Sequence, residues 1–362
     1  MTTEARGQRP EARGVAEVWS VILAGGVGSR FWPVSTANRP KQLLPLASEQ
    51  PLLRDAIDRM APLCDPLHTL VLTNASLVEP IHSLAPEIPR SSLVAEPRPA
   101  GTAAALTWAA ALIDRLSGSD AIMMSIHADW AVADAEGFRA ALTRAASLAT
   151  ATHSLVTVGV VPSRPDPGYG YIRPGEPIPD SSGGRRVVEF VEKPSPARTE
   201  VMVREGCLWN SGIFVWRVGD FLEEVRTLCH EVAPALKAHP TDLNAFFAAV
   251  ATPIAVDVGV LERSDKVAVI PGDFGWDDVG TWAALRRVRV PDGAGNVTQG
   301  PVHAVKSQGN VVHAEGNEVV LYGVSDLVVV THQGLTLVTT AEHATDLKQL
   351  LAALPPEVRD RG

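Results

Sequence analysis

The sequence of 362 residues predicts an α/β protein: a mixed, mostly parallel sheet flanked by helices, followed by a small β-rich domain. Three observations predict it. Apolar, β-branched runs alternate with segments of helical period in the first half of the chain. A glycine-rich loop directly follows the first of these runs. After residue 290 the pattern changes to closely spaced short strands.

Taken in order, Val18 to Leu23 reads as a strand and Leu52 to Leu63 as a helix. Thr69 to Leu72 is followed by Ser76 to Leu84, Leu93 to Ala95 by Thr102 to Leu116, and Ala121 to Ile126 by Glu136 to Leu148. Four strand-then-helix units in succession place helices on both faces of a sheet, with ligands at the carboxyl ends of its strands. From Pro162 the segment "PSRPDPGYGYIRPGEPIPDSSGG" is too rich in Pro and Gly for a regular element, and reads as an excursion from the sheet edge that lines a pocket. "RRVVEFVEKP" resumes a strand, and "CLWNSGIFVW", "DFLEEVRTL" and "KVAVIPGDFGWDDVGTWAALRRV" continue the alternation. Beyond "PDGAGNVTQGP", strands are expected near Val302 to Val305, Asn310 to His313, Glu318 to Leu321, Leu327 to Thr331 and Leu335 to Thr339, then a helix from about His343 to Leu354. No strict six-residue repeat runs through them. The expected division is a disordered tail over 1–17, a first domain over 18–290 and the β-rich domain over 291–362.

Composition narrows the function. A formal net charge of −9 argues against nucleic acid as the main partner, because duplex binding uses a basic surface. The three cysteines, Cys64, Cys207 and Cys229, show no C-x-x-C spacing and read as buried thiols. The opening residues lack the apolar segment of a secretory signal, and no stretch approaches a spanning helix, so a cytoplasmic protein without a membrane partner is expected.

The loop "AGGVGSRFWPVSTANRPKQLLPL" (24–46) is the most informative stretch. A glycine-rich turn after a first strand brings backbone N–H groups against phosphate oxygens. The dinucleotide fingerprint fails here because Phe31 stands where a small residue is required, and the NTPase P-loop fails because its second Gly and its Lys are absent. What remains is a loop able to wrap a phosphate chain, with Arg30 beyond the glycines. Pro40 fixes its own φ and extends Arg39, so that Lys41 is carried on a stiff segment.

This loop resembles the signature of sugar-nucleotide pyrophosphorylases, and its F-W-P and P-K-Q elements are most similar to those of bacterial mannose-1-phosphate guanylyltransferases (GDP-mannose pyrophosphorylases). "EPRPAGTAAA" (96–105), "GYGYI" (168–172), "FVEKP" (190–194), "WNSGIFVW" (209–216), "VDVGVLERS" (256–264) and "WDDVGTW" (276–282) follow in the family's order. The resemblance implies a Rossmann-like fold of the nucleotide-diphospho-sugar transferase type, with a β-helix-like C-terminal domain. It implies the substrates GTP and mannose 1-phosphate, the cofactor Mg²⁺ and a possible homodimer. A phosphate monoester is already an anionic nucleophile, so the reaction needs no general base; it needs cations that hold two polyanions in line and neutralise the charge that develops.

By resemblance, Arg30, Lys41 and Lys193 are the catalytic cations, and Asp129 and Asp278 hold the metal. Read alone, each aspartate is an ordinary cap or turn residue, and Asp277 competes with Asp278. Ala24, Gly25, Gly26, Gly28, Ser29, Glu96, Arg98, Gly101 and Thr102 are expected around the nucleotide, although Thr102 reads equally as a helix cap. Gly170, Glu192, Lys193, Asn210 and Asp257 are expected around the sugar phosphate; alone, Glu192 and Lys193 read as a surface pair. The chain departs from the family where His127-Ala128-Asp129-Trp130 replaces Pro-Ala-Asp-His, and where Val258 replaces a frequent Tyr. Two alternatives stay open: a sister enzyme for glucose 1-phosphate with dTTP, UTP or ATP, and a non-catalytic sugar-nucleotide-binding regulator.

Overall fold

The computed structural model describes residues 16–26, 28–36 and 38–361, so the expected tail, residues 16 and 17 apart, lies outside the described residues. The chain opens with β1 (Val18–Leu23), followed by α1 (Leu52–Met60), β2 (Thr69–Asn74), α2 (Val78–Leu84), β3 (Leu93–Glu96), α3 (Thr102–Ser117), β4 (Ile122–His127), β5 (Ala131–Val132), α4 (Ala135–Thr152) and β6 (Leu155–Val160). Next come β7 (Tyr171–Pro177), β8 (Arg185–Val191), α5 (Pro196–Arg204), β9 (Leu208–Arg217), α6 (Val218–Leu228), α7 (Ala233–Ala238), α8 (Leu243–Ala249), β10 (Val267–Gly272) and β11 (Trp276–Asp277).

The main sheet has nine strands in the order β3-β2-β1-β4-β9-β6-β10-β8-β7. β1 pairs in parallel with β2 and β4, β2 with β3, and β6 with β10, whereas β9 runs antiparallel to β4 and β6. Both faces are covered, as the unbroken apolar character of the strands requires. One face packs Leu53, Ile57, Ile81, Phe138 and Leu142 of α1, α2 and α4, and the other packs α3 and α6 to α8 through Leu106, Trp108, Phe221 and Phe246.

One segment corrects the sequence reading. The Pro- and Gly-rich stretch after Pro162 contains β7, which pairs antiparallel with β8 and β9. β9 pairs only with Tyr171 and Ile172, so Pro174 and Pro177 lie where β7 has β8 as its single neighbour and a missing N–H breaks no central ladder; the register shifts there too.

The C-terminal region contains β12 (Val297–Gln299), β13 (Val302–Val305), β14 (Val311–Ala314), β15 (Val319–Tyr322), β16 (Leu327–His332) and β17 (Leu335–Thr340). β12, β14 and β16 stack in parallel, β17 closes their sheet antiparallel, and β13 and β15 form a second parallel pair. Alternate strands in two sheets make a short β-helix-like coil. Its register steps are 14 residues from Val297 to Val311 and 17 from Val311 to Val328, which is why no six-residue repeat is visible. Buried asparagines mark the inner turn: the Asn310 amide donates to Asn296 Oδ1 (3.0 Å) and the Leu327 amide to Asn310 Oδ1 (3.0 Å). The expected final helix is interrupted at Asp346, leaving a short turn over His343–Thr345 and a helix over Leu347–Ala353.

The coil packs onto the loop after β1 through one apolar cluster that joins Phe31, Trp32, Val34, Leu44 and Leu46 to Val279, Trp282, Val311, Val328 and Leu347. Trp282 Nε1 donates to the Trp32 carbonyl (3.0 Å), and its ring meets Phe31 edge-on at 5.0 Å. The three cysteines are free and buried, and burial pushes the Cys64 thiol up to about 12.

Candidate active site

The site lies at the carboxyl ends of β1, β3 and β4, where the fold class places ligands. After β1 the chain turns through Gly25 and Gly26, both exposed, and reaches Gly28 at φ +68°. A side chain at Gly28 would collide with Lys41 Cβ, so this glycine lets the loop cross directly over the lysine stem. Lys41 opens a short 3₁₀ turn, Lys41–Leu43, behind Pro40 at φ −70°. Its side chain is buried, and Nζ donates to Asp129 Oδ2 (3.0 Å) and to the Asp278 carbonyl (2.6 Å).

Three residues far apart in sequence thus converge on one point. Asp129 follows β4. Burial alone would raise its carboxyl, but the Lys41 charge and hydrogen bond outweigh it and hold the group below the ordinary carboxylate range. Asp278 follows β11 and accepts from the Tyr169 hydroxyl at Oδ1 (2.6 Å). Burial, then the Asp278 charge, raises the Tyr169 pKa, so this hydroxyl stays protonated and donates. The competing Asp277 points elsewhere: its carboxylate takes Arg287 Nε (2.5 Å) and Nη2 (3.0 Å) and the Val279 amide (2.9 Å). Val279 stands at φ +47°, unusual for a β-branched residue and costly by about 1–3 kcal/mol. That conformation follows Asp278, whose carbonyl meets Lys41 and whose carboxylate meets Tyr169.

A cavity of about 570 Å³ opens beside this point. Ala24, Gly25, Gly26, Gln42, Thr73, Glu96, Arg98, Gly101, Thr102, His127 and Asp129 are among its lining residues. Gln42 Nε2 and Thr73 Oγ1 both donate to the Ala24 carbonyl (2.9 and 3.1 Å), fixing the first turn of the loop. Burial pushes the Glu96 carboxyl up to about 7. Arg98 lines the cavity, yet its Nε donates to the Phe247 carbonyl (2.9 Å) and its Nη2 to that of Val250, which ties the loop to α8. Gly101, at φ +83°, is pressed so closely on the Ile254 backbone that no side chain fits. Thr102 follows Gly101 as the first residue of α3, and its hydroxyl accepts from the Val256 amide (2.9 Å).

A second group of side chains borders the same region. The Asn210 amide donates to the Gly170 carbonyl (2.8 Å) and Asn210 Nδ2 to Asp257 Oδ1 (2.6 Å). Asp257 begins a π-helical turn, Asp257–Leu261; burial and nearby Glu192 raise its pKa against the pull of Asn210. A Cβ on Gly170 would lie 2.6 Å from Glu192 Oε2, which puts that carboxylate against Gly170. Lys193, 65% exposed and at φ +44°, donates to Glu192 Oε1 (2.7 Å).

Two predicted residues stay outside these contacts. Arg30 lies exposed in the turn Ser29–Phe31, and the Ser29 side chain is outside the described residues. The departures from the family pattern have a packing role: His127 and Trp130 lie ring to ring at 5.0 Å, and Trp130 meets Trp276 edge-on at 5.8 Å. Burial lowers the His127 pKa, so the ring is neutral at pH 7. Tyr169 is a neighbour of the site that the sequence reading missed, and the signal available for it was its place beside Gly170 in "GYGYI"; Arg287, also missed, secures Asp277 away from the site.

A mixed, mostly parallel sheet with a glycine loop crossing a buried lysine, two aspartates on that lysine and an adjoining cavity defines an enzyme of the nucleotidyltransferase class. Residues 19–292 match the family described as "Nucleotidyl transferase". The chain is 34% identical to the mannose-1-phosphate guanylyltransferase of Escherichia coli (strain K12), over 95% of this chain and 75% of that one. It is 33% identical to the mannose-1-phosphate guanylyltransferase ManC of Salmonella typhimurium, over 95% of this chain and 74% of that one. The crystal structure of mannose-1-phosphate geranyltransferase from Thermus thermophilus, 32% identical, matches 93% of this chain and 98% of its own with a TM-score of 0.85. The chain belongs to the nucleotidyl transferase family, among the mannose-1-phosphate guanylyltransferases. Among the described residues no helix is long and apolar enough to cross a membrane.

Proposed function

We propose that the protein transfers the guanylyl group of GTP to α-D-mannose 1-phosphate, giving GDP-mannose and pyrophosphate. The observation that carries this reading is the meeting of Lys41, Asp129 and Asp278 between the loop-lined cavity and the Glu192/Asn210/Asp257 group. The mannose and guanine assignment rests on the relatives named above.

In this reading the cavity takes the nucleoside, with the loop amides of Gly25, Gly26 and Gly28 and the exposed Arg30 on the triphosphate. Lys41 commits two N–H donors to Asp129 and Asp278 and offers its third to the α-phosphate. Glu192 and Asn210 receive sugar hydroxyls and Lys193 grips the sugar phosphate. An oxygen of that phosphate attacks the α-phosphorus; the new P–O bond forms as the bond to pyrophosphate breaks, and the electron pair leaves with pyrophosphate. Asp129 Oδ2 lies on Lys41 Nζ, and Asp278, whose carbonyl meets the same Nζ, has its carboxylate held by Tyr169; these two carboxylates would hold a Mg²⁺ ion, which takes one or two protein carboxylates. When bound, that ion neutralises charge on phosphate oxygens. A cytoplasmic location and a possible homodimer belong to the same reading.

The reverse reaction tests it. GDP-mannose and pyrophosphate with Mg²⁺ are expected to yield GTP and mannose 1-phosphate; binding of GDP-mannose without formation of GTP overturns the reading in favour of a regulator. Glu96 adds a pH signature. Its ionised carboxylate receives the guanine N–H groups, so GTP affinity is expected to rise with pH up to about 7 and then level off. Titrations of GTP binding from about pH 5.5 to about 8.5 check this, and Glu96→Gln is expected to flatten the profile.

A further inference from the structure

Behind the loop that carries Lys41 lies a charged cluster that the steps above do not use. Glu315, just past β14, receives Arg39 in a two-point contact, Nη1 to Oε2 at 2.8 Å and Nη2 to Oε1 at 2.9 Å. The same carboxylate meets His313 Nε2 at 3.0 Å and His332 Nδ1 at 2.7 Å, both histidines being buried strand residues of the coil. The Glu315 amide donates to the Thr331 carbonyl (3.0 Å), so the coil fixes its backbone as well. Burial would raise the Glu315 pKa, but the hydrogen bonds from His313 and Arg39 outweigh it and keep the group ionised.

On the loop side, the Arg39 amide donates to Thr36 Oγ1 and its carbonyl accepts from the Thr36 amide (3.0 and 3.1 Å), closing a tight turn. Only Pro40, at φ −70° and ψ 167°, separates Arg39 from Lys41. The path from the coil to the lysine therefore has one intervening residue, and its φ is locked. His313 also packs on Trp282 at 5.1 Å, four residues beyond Asp278. One patch of the coil thus touches both segments that meet at the active point.

We propose that Glu315 is a positioning residue for nucleotidyl transfer, setting Lys41 through Arg39 and making the C-terminal coil part of the catalytic apparatus. The proposal rests on the functional reading above. Arg39 and the two buried histidines on Glu315 also stabilise the fold, so turnover below the unfolding transition separates the two roles: a displacement of about 1 Å in a reacting group costs up to about a hundredfold in rate.

The test compares Glu315→Gln, Arg39→Ala and the double variant by steady-state kinetics and thermal unfolding. Each single change is expected to lower kcat about tenfold to a hundredfold with the KM for GTP nearly unchanged; Glu315→Gln also lowers the unfolding midpoint, and the double variant turns over no worse than the poorer single one. Turnover within about twofold of wild type in Glu315→Gln, or losses that multiply in the double variant, overturns the proposal. If Arg39→Ala fails to fold, the near-isosteric Glu315→Gln decides alone. A wild-type protein that transfers no nucleotide overturns the functional reading and this proposal with it, whereas an active wild type with unaffected variants overturns the proposal alone.

Discussion

Replacing Lys41 with alanine is expected to lower kcat/KM by about a thousandfold or more while the protein still folds. The ammonium is buried beneath Gly28 and bound to Asp129 and to the Asp278 carbonyl, so its position is set before substrate arrives. A positive charge fixed in advance where negative charge develops acts without reorganisation, which is why its removal falls on the transition state. The variant also leaves the Asp129 carboxylate without its cation, and that carboxylate, 36% exposed, is close enough to water to be solvated. Circular dichroism with single-turnover kinetics separates the two effects: native spectra with turnover near wild type would contradict the role given to Lys41.

Removing the Asp278 carboxylate is the second large effect. Asp278→Ala is expected to lower kcat by about two to three orders of magnitude and to raise the Mg²⁺ concentration needed for half-maximal rate. Tyr169→Phe removes only the hydroxyl that orients this carboxylate at 2.6 Å, and is expected to cost about tenfold. Asp277→Asn forms a control of the opposite kind. Its carboxylate is committed to Arg287 and the Val279 amide, so the change is expected to lower the unfolding midpoint and to leave the metal requirement where it was. A Mg²⁺ titration across the three variants checks the assignment. Equal shifts for Asp277→Asn and Asp278→Ala would contradict it.

The four opening strand-and-helix units were legible because each carries its own period, and the loop after β1 because its glycines and Pro40 act locally. β7 was hidden: Pro174 and Pro177 are strand breakers everywhere except at an edge, and being an edge is a property of the whole sheet. The aspartates were legible only through resemblance, since nothing within a few residues of Asp278 reports a lysine 237 positions away. Arg39 and Glu315, 276 residues apart, were not legible for the same reason. Arg98 shows the limit from the other side. The resemblance placed it around the nucleotide, and it does line the cavity, but its Nε and Nη2 bonds to the Phe247 and Val250 carbonyls at the end of α8 were not legible in the sequence. Asp277 and Asp278 are adjacent and chemically identical, so only the turn through Val279 separates a buried structural carboxylate from one that faces the site.

The most direct test is pyrophosphate release by the purified protein with Mg²⁺, with GTP and mannose 1-phosphate set beside ATP, UTP and dTTP and beside glucose 1-phosphate. Release with GTP and mannose 1-phosphate, and much less with every other pair, is the predicted result. Release with a different pair would contradict the assigned substrates while leaving Lys41 and the aspartates their roles, and no release with any pair would contradict the account as a whole.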